Sequence, residues 1–135
     1  MAKQNALGWT TCAVDDAGGT ARNIRNDLTN IAWGVPRAVQ DVTGLDKSAF
    51  ERILNLADLT GTLNGAMNVA TNQGHDVFKT VSSTSVNRTL TNTISGVTLA
   101  AEVLLTDYPL TRSPAGEFTY AVPFSLADGT VPVWA

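Results

Sequence analysis

The segment from Glu117 to Leu126 alternates with a period of two: Phe118, Tyr120, Val122, Phe124 and Leu126 on one side, Glu117, Thr119, Ala121, Pro123 and Ser125 on the other. Successive side chains of a strand point to opposite faces, so this pattern specifies a strand with one apolar face and one mostly polar face. Pro123 cannot donate to a ladder, which predicts an edge position or a bulge. The same grammar recurs at Val86 to Ser95. There Val86, Leu90 and Ile94 share a side with Arg88 and Asn92, and Asn87, Thr89, Thr91, Thr93 and Ser95 form a polar side expected to meet water or a polar partner.

The rest of the chain is read in the same terms. It holds 18 Thr but 7 Ser, and the β-branched excess suits pleated, half-buried surfaces. Turn residues recur at short intervals: Gly18-Gly19, Gly34-Val35-Pro36, Gly74, Gly96, Pro114-Ala115-Gly116 and Asp128-Gly129. Glu102 to Leu110 predicts a central strand buried on both faces. Shorter strands are expected at Leu7–Val14 (anchored by Leu7, Trp9 and Val14), Thr29–Val35 and Ala57–Leu63. Asn64-Gly65 then predicts a tight turn, because both residues tolerate positive φ. Phe50, Ile53, Leu54 and Ala57 follow a possible N-cap at Asp46 with helical spacing, which predicts a helix over Asp46–Leu56. Val77, Phe78 and Val81 predict a weaker one over Asp76–Val81, and Val69–Gly74 reads as an exposed loop. Short strands with regular turns indicate one mainly β domain over residues 1–135. It is a β-sandwich or partly closed barrel of antiparallel strands with one short flanking helix.

Composition removes whole classes of function. Net charge is −3 and the isoelectric point near 4.9, whereas a free-standing nucleic-acid binder carries a basic surplus. One cysteine, Cys12, permits no intrachain disulfide and no cysteine zinc site, and one histidine, His75, permits no multi-histidine site. Met1 to Trp9 lacks a signal-peptide core, and no run approaches a membrane span. The chain reads as soluble and made in a reducing cytoplasm.

Candidate chemistry is sparse. His75 lies beside Asp76 and near Ser82, Ser83 and Ser85, yet no nucleophile-elbow pattern exists, and a solvated histidine is the expectation. Cys12 reads as a small buried residue. Asp15-Asp16 before Gly18-Gly19 reads as turn chemistry rather than a cation loop. Phosphate-cradling glycine patterns are missing, and Arg22 and Arg25 near Asp27 read as an ion-pair cluster. No catalytic residue, metal or cofactor is therefore predicted. The apolar end Val131-Pro132-Val133-Trp134-Ala135 either folds back or meets a neighbour. Trp134 is a candidate interface anchor or the closure of the chain's own sandwich.

The residues also resemble a family. Asp41-Val42-Thr43-Gly44, an excursion with Ala49-Phe50-Glu51-Arg52, then Leu54-Asn55-Leu56-Ala57-Asp58 and Leu59-Thr60-Gly61-Thr62-Leu63-Asn64-Gly65 resemble the tail tube proteins of long-tailed bacteriophages. His75-Asp76-Val77-Phe78-Lys79-Thr80-Val81 resembles their short helical segment. Val103 to Tyr108, Gly116 to Tyr120 and Leu126 to Gly129 resemble their closing hairpin.

The resemblance implies a non-enzymatic virion protein. It implies hexameric rings stacked into a tube for DNA ejection, with partners among tape-measure, terminator and baseplate or tip proteins, and no membrane. Localisation would be the phage tail, with host cytoplasm during assembly. It also implies that residues 44–55 form a loop packing on the next ring, with at most a short helical turn in place of the helix. Asp46, Lys47, Phe50, Glu51, Arg52, Ile53 and Trp134 are the expected subunit-interface residues, and the termini are expected to be loose before assembly. Six copies would carry a net charge of −18, six times −3, and an acidic or neutral lumen would keep DNA off the wall. The Thr/Asn side of Val86–Ser95 is a candidate for that wall. Two other readings are a different small virion protein, for capsid decoration or head–tail joining, and a carbohydrate-binding sandwich using Trp9, Trp33 or Trp134.

Overall fold

A computed structural model describes residues 3–135; the expectation of a loose start at Met1 and Ala2 lies outside the described residues. A single 3₁₀ turn, Ala6–Gly8, precedes the strands β1 (Trp9–Asp15), β2 (Ala21–Asn23), β3 (Leu28–Gly34), β4 (Arg37–Asp41), β5 (Arg52–Ala57) and β6 (Thr60–Ala66). Helix α1 (Gly74–Phe78) follows, then β7 (Arg88–Ile94), β8 (Val97–Leu105), β9 (Leu110–Arg112) and β10 (Phe118–Leu126). Eight strands form one antiparallel sheet in the order β2-β1-β7-β8-β10-β6-β3, with β9 also paired to β10. Strands β4 and β5 pair with each other in a separate hairpin.

The sheet curls on itself. Trp9 of β1 and Ile94 of β7 line the same cavity as Ile31 and Trp33 of β3, so its two ends face one another. Alternation decides what lies between them. Tyr120, Val122 and Phe124 of β10 are buried together with Val14, Leu63, Leu90 and Val103. Fully burying side chains of this size contributes about 1.5–3 kcal/mol each. Helix α1 adds Val77 and Phe78, and the Phe78 ring lies 5.3 Å from Tyr120 and 5.6 Å from Tyr108. The helix lacks a side-chain cap of its own. The carboxylate of Asp27, from the β2–β3 connection, instead accepts from Gly74 N–H at 2.9 Å and Asn68 Nδ2 at 2.7 Å.

Several expectations are corrected. Pro123 lies in an interior strand, with β6 on one side and β8 and β9 on the other. Its carbonyl accepts from Thr106 N–H at 3.4 Å, so its missing donor faces the gap where β8 has ended and β9 has not begun. Asn64-Gly65 is no turn; it sits inside β6. A Cβ on Gly65 would lie 2.5 Å from the Asp27 carbonyl and 2.7 Å from the Tyr120 hydroxyl, so the glycine serves close approach rather than a turn. Strand β8 starts at Val97, set by a two-residue turn in which Ser95 (φ 48°) and Gly96 (φ 86°) both have positive φ. It is central but not buried on both faces, since Val97 and Leu104 are exposed. Leu7 is exposed and anchors nothing. No helix forms over Asp46–Leu56, which divides between a loop and β5. Arg22 pairs with Asp16 at 3.1 Å while Arg25 bonds the Trp9 carbonyl, so no cluster forms around Asp27.

The Asp16 turn is as expected: its carboxylate accepts from Gly18 and Thr20 N–H at 2.9 and 3.0 Å. His75 is half-buried rather than solvated, its Nδ1 lying 3.3 Å from the Tyr108 hydroxyl. Arg88 is 1% exposed. Its guanidinium donates to the carbonyls of Val77 (2.5 Å) and Asp15 (3.2 Å) and to Thr80 Oγ1 (3.1 Å), tying the end of α1 to β1.

Cys12 is fully buried, and burial pushes its thiol pKa up to about 12. Because the thiolate is the reactive form, the native protein at pH 8 should resist thiol reagents and react once unfolded. Rapid native labelling in a thiol-release assay would contradict this. An unfolded Cys12 ionises near its ordinary value and the native one does not, so its contribution is intact below about pH 8.5 and declines above it.

Candidate functional site

The β4–β5 hairpin is an arm built outside the core. Its base is closed by Asp58 N–H donating to the Pro36 carbonyl at 3.0 Å. Arg37 reinforces it, donating to the carbonyls of Asn55 (2.8 Å) and Leu54 (3.3 Å). At the tip, Val42 N–H donates to Glu51 O and Glu51 N–H to Thr43 Oγ1, at 3.0 and 2.9 Å. The Thr43 hydroxyl and amide both donate to Asp41, which holds that carboxyl below the usual range. These bonds define a shape but supply no core, and an isolated two-stranded hairpin is marginal in water.

Six of the seven expected interface residues lie on this arm. Lys47 Nζ sits 3.3 Å from Glu51 and 4.0 Å from Asp46, both exposed pairs worth little to stability. Phe50 is 70% exposed, with the Arg52 guanidinium 4.7 Å from its ring centre. Ile53 stands exposed on β5. Sequence reasoning missed the apolar residues around them: Val39, Val42, Leu45 and Leu56 are exposed too, and Val39 pairs across the arm with Leu54. Val39 and Val42 were the available signal, but β4 is too short and too mixed to show a period. Large apolar side chains are thus exposed on both faces of the arm and at its tip, and no other described residue of the chain covers them.

Trp134, the seventh, is elsewhere. Its ring centre is 6.4 Å from that of Trp33, tilted by 39°, and it remains 48% exposed. The tail returns to its own sheet: Ala135 and Thr98 exchange backbone bonds of 2.9 and 2.8 Å. Trp134 therefore covers Trp33 and still presents a face outward.

A second surface is the outer side of the sheet. Registers place Thr89 opposite Glu102, Thr91 opposite Ala100 and Thr93 opposite Thr98, continuing through Ser125 opposite Thr60 and Ala121 opposite Asn64. Apart from the exposed Leu104, opposite Ser125, side chains here are small and mostly uncharged. No Lys or Arg of β1, β7, β8, β10, β6 or β3 falls on this side, whereas Glu102 does, accepting from the Thr89 hydroxyl. Among the described residues no group of His, Cys, Asp and Glu could hold a metal ion.

The sequence matches no family model and no curated protein. Its fold does have relatives. A chain in the helically refined, C6-symmetric tail of an empty gene transfer agent (GTA) particle superposes with a TM-score of 0.72 at 15% identity, covering 98% of both chains. A chain from the virion of the native gene transfer agent particle gives 0.71 at 14% identity, covering 98% of this chain and 99% of that one. At such identities the likeness concerns the fold: the chain shares its mainly β, antiparallel architecture with these two chains over 98% of its length.

Proposed function

We propose that this chain is a structural subunit of a phage-like tail, forming hexameric rings that stack into a tube through which double-stranded DNA leaves the particle. The observation that carries the reading is the superposition over 98% of both chains with a subunit of a C6-symmetric tail. The arm supports it, because its exposed apolar residues need a partner that the single chain does not supply. Asp46, Lys47, Phe50, Glu51, Arg52 and Ile53 act in subunit contacts, and Trp134 acts as a secondary anchor. The reading places the protein in the virion tail after assembly in the host cytoplasm, beside tape-measure, terminator and baseplate components, with no catalytic step. Sedimentation of the pure protein over rising concentration tests it: boundaries for six copies and for larger stacks are expected, and a monomer at every concentration would refute it.

The outer sheet face is the natural lumen wall. DNA binding strength rises with each phosphate neutralised by Lys or Arg, and this face offers none. Assembled protein should therefore fail to retain double-stranded DNA at physiological salt. Thr91→Lys and Thr98→Lys each place a cation in six copies per ring and should produce salt-sensitive retention in a filter assay. Tight binding by the parent protein would show that a different surface lines the passage.

A further inference from the structure

The mouth of the curled sheet carries an apolar recess that the arm of the same chain does not enter. Trp9, Ile31, Trp33 and Ile94 line it, residues 4–6 form its rim, and its volume is about 350 Å³. Its margin is basic. Arg25 donates to the Trp9 carbonyl at 2.5 Å, and Lys3 directly precedes the rim. Among the described residues neither cation pairs with a carboxylate.

The arm tip has the opposite character. Residues 41–52 carry the carboxylates Asp41, Asp46 and Glu51 against Lys47 and Arg52, a net charge of −1, around the exposed Leu45 and Phe50, with the Arg52 guanidinium 4.7 Å from the Phe50 ring centre. One chain thus bears an apolar prong whose surroundings carry one carboxylate more than they carry cations, and an apolar recess with a basic margin. Two different patches of one chain meet between copies as a head-to-tail contact, and its repetition closes a ring or extends a stack. Charge complementarity of this kind fixes register and excludes the reversed arrangement.

We propose that the arm tip, led by Leu45 and Phe50, seats in the tryptophan recess of a second copy of the chain, with its carboxylates against Arg25 and Lys3. The inference rests on the tube-subunit reading and adds the acceptor to it. An aromatic ring entering an aromatic-lined pocket is the typical composition of an interface hot spot.

Cross-linking between copies tests it. Ala49→Cys places a thiol beside Phe50, Ala6→Cys places one on the rim, and both sites are exposed. Buried Cys12 stays silent. Assembled mixtures of the two single variants should give a covalent dimer on oxidation, and the double variant a ladder of multimers. Ala49→Cys mixed with Ala115→Cys, in the β9–β10 turn, should give neither. Independently, Lys3→Glu with Arg25→Glu should raise the threshold concentration for assembly at least tenfold, and Asp46→Lys with Glu51→Lys should lower it again in that background. The acceptor is overturned if assembled protein yields no Ala49–Ala6 cross-link, or links them within one chain, or tolerates the charge reversal; the tube reading survives each of these. If the parent protein does not assemble at all, both readings fall together.

Discussion

Replacing residues 38–56 with a short Gly/Ser link is expected to abolish assembly while leaving the subunit folded. The arm pairs with itself, and its residues are exposed apart from half-buried Thr43 and Ala57 at the β5 end. Its removal therefore uncovers almost none of the core formed by β1, β6, β7, β8, β10 and α1. Joining Arg37 to Ala57 is sterically simple because the two are already cross-strand partners at the arm's base. What is lost is the contact set: Leu45, Phe50, Ile53, Leu54 and Leu56 are all exposed in the subunit. Each large apolar side chain buried between copies contributes on the order of 1.5–3 kcal/mol, so losing several shifts an association constant by many powers of ten. Thermal melting and sedimentation of the same preparation give the result. A melting temperature close to the parent's with no species larger than a monomer is expected. An unfolded variant would make the arm part of the core, and normal assembly by a folded one would remove its role.

The second large effect is on stability. Arg88→Ala should cost about 3–5 kcal/mol, a large part of the 5–15 kcal/mol that stabilises a domain of this kind. Two things are lost together. A long, fully buried side chain leaves a cavity, and three acceptors, the carbonyls of Val77 and Asp15 and the Thr80 hydroxyl, lose their donor. The Val77 carbonyl lies in the last turn of α1, where carbonyls lack intrahelical partners and a cation is favourable. Burial works against the charged guanidinium, and the nearby Asp16 and Asp15 carboxylates oppose that effect. Arg88→Lys retains the charge but not the fork, so it should fall between parent and Arg88→Ala. Urea denaturation measures this. A loss below about 1 kcal/mol for Arg88→Ala would mean that water replaces the guanidinium at little cost.

These two regions also mark where sequence reading succeeds and fails. The strand at Phe118–Leu126 is legible because one buried face imposes a period of two on every residue. The partners of Arg88 are not, since they come from residues 15, 77 and 80, and only the folded chain brings them together. Gly65 reads as a turn because its neighbour is Asn64, whereas its role is set by the close approach of Asp27 from the β2–β3 connection and Tyr120 from β10. The spacing of Phe50, Ile53 and Leu54 fits a helix with a buried stripe. Here the apolar residues belong to a hairpin and cover none of the chain's own core, so the period carries no information about local structure. The flanking helix is legible in Val77 and Phe78, yet it runs from Gly74 to Phe78 because Asp27 caps its start.

Negative-stain microscopy of the concentrated, pure protein tests the central claim most directly. The account predicts hollow tubes of uniform diameter whose cross-sections have six-fold symmetry. Dispersed monomers at the highest attainable concentration, or assemblies without a central channel, would contradict it.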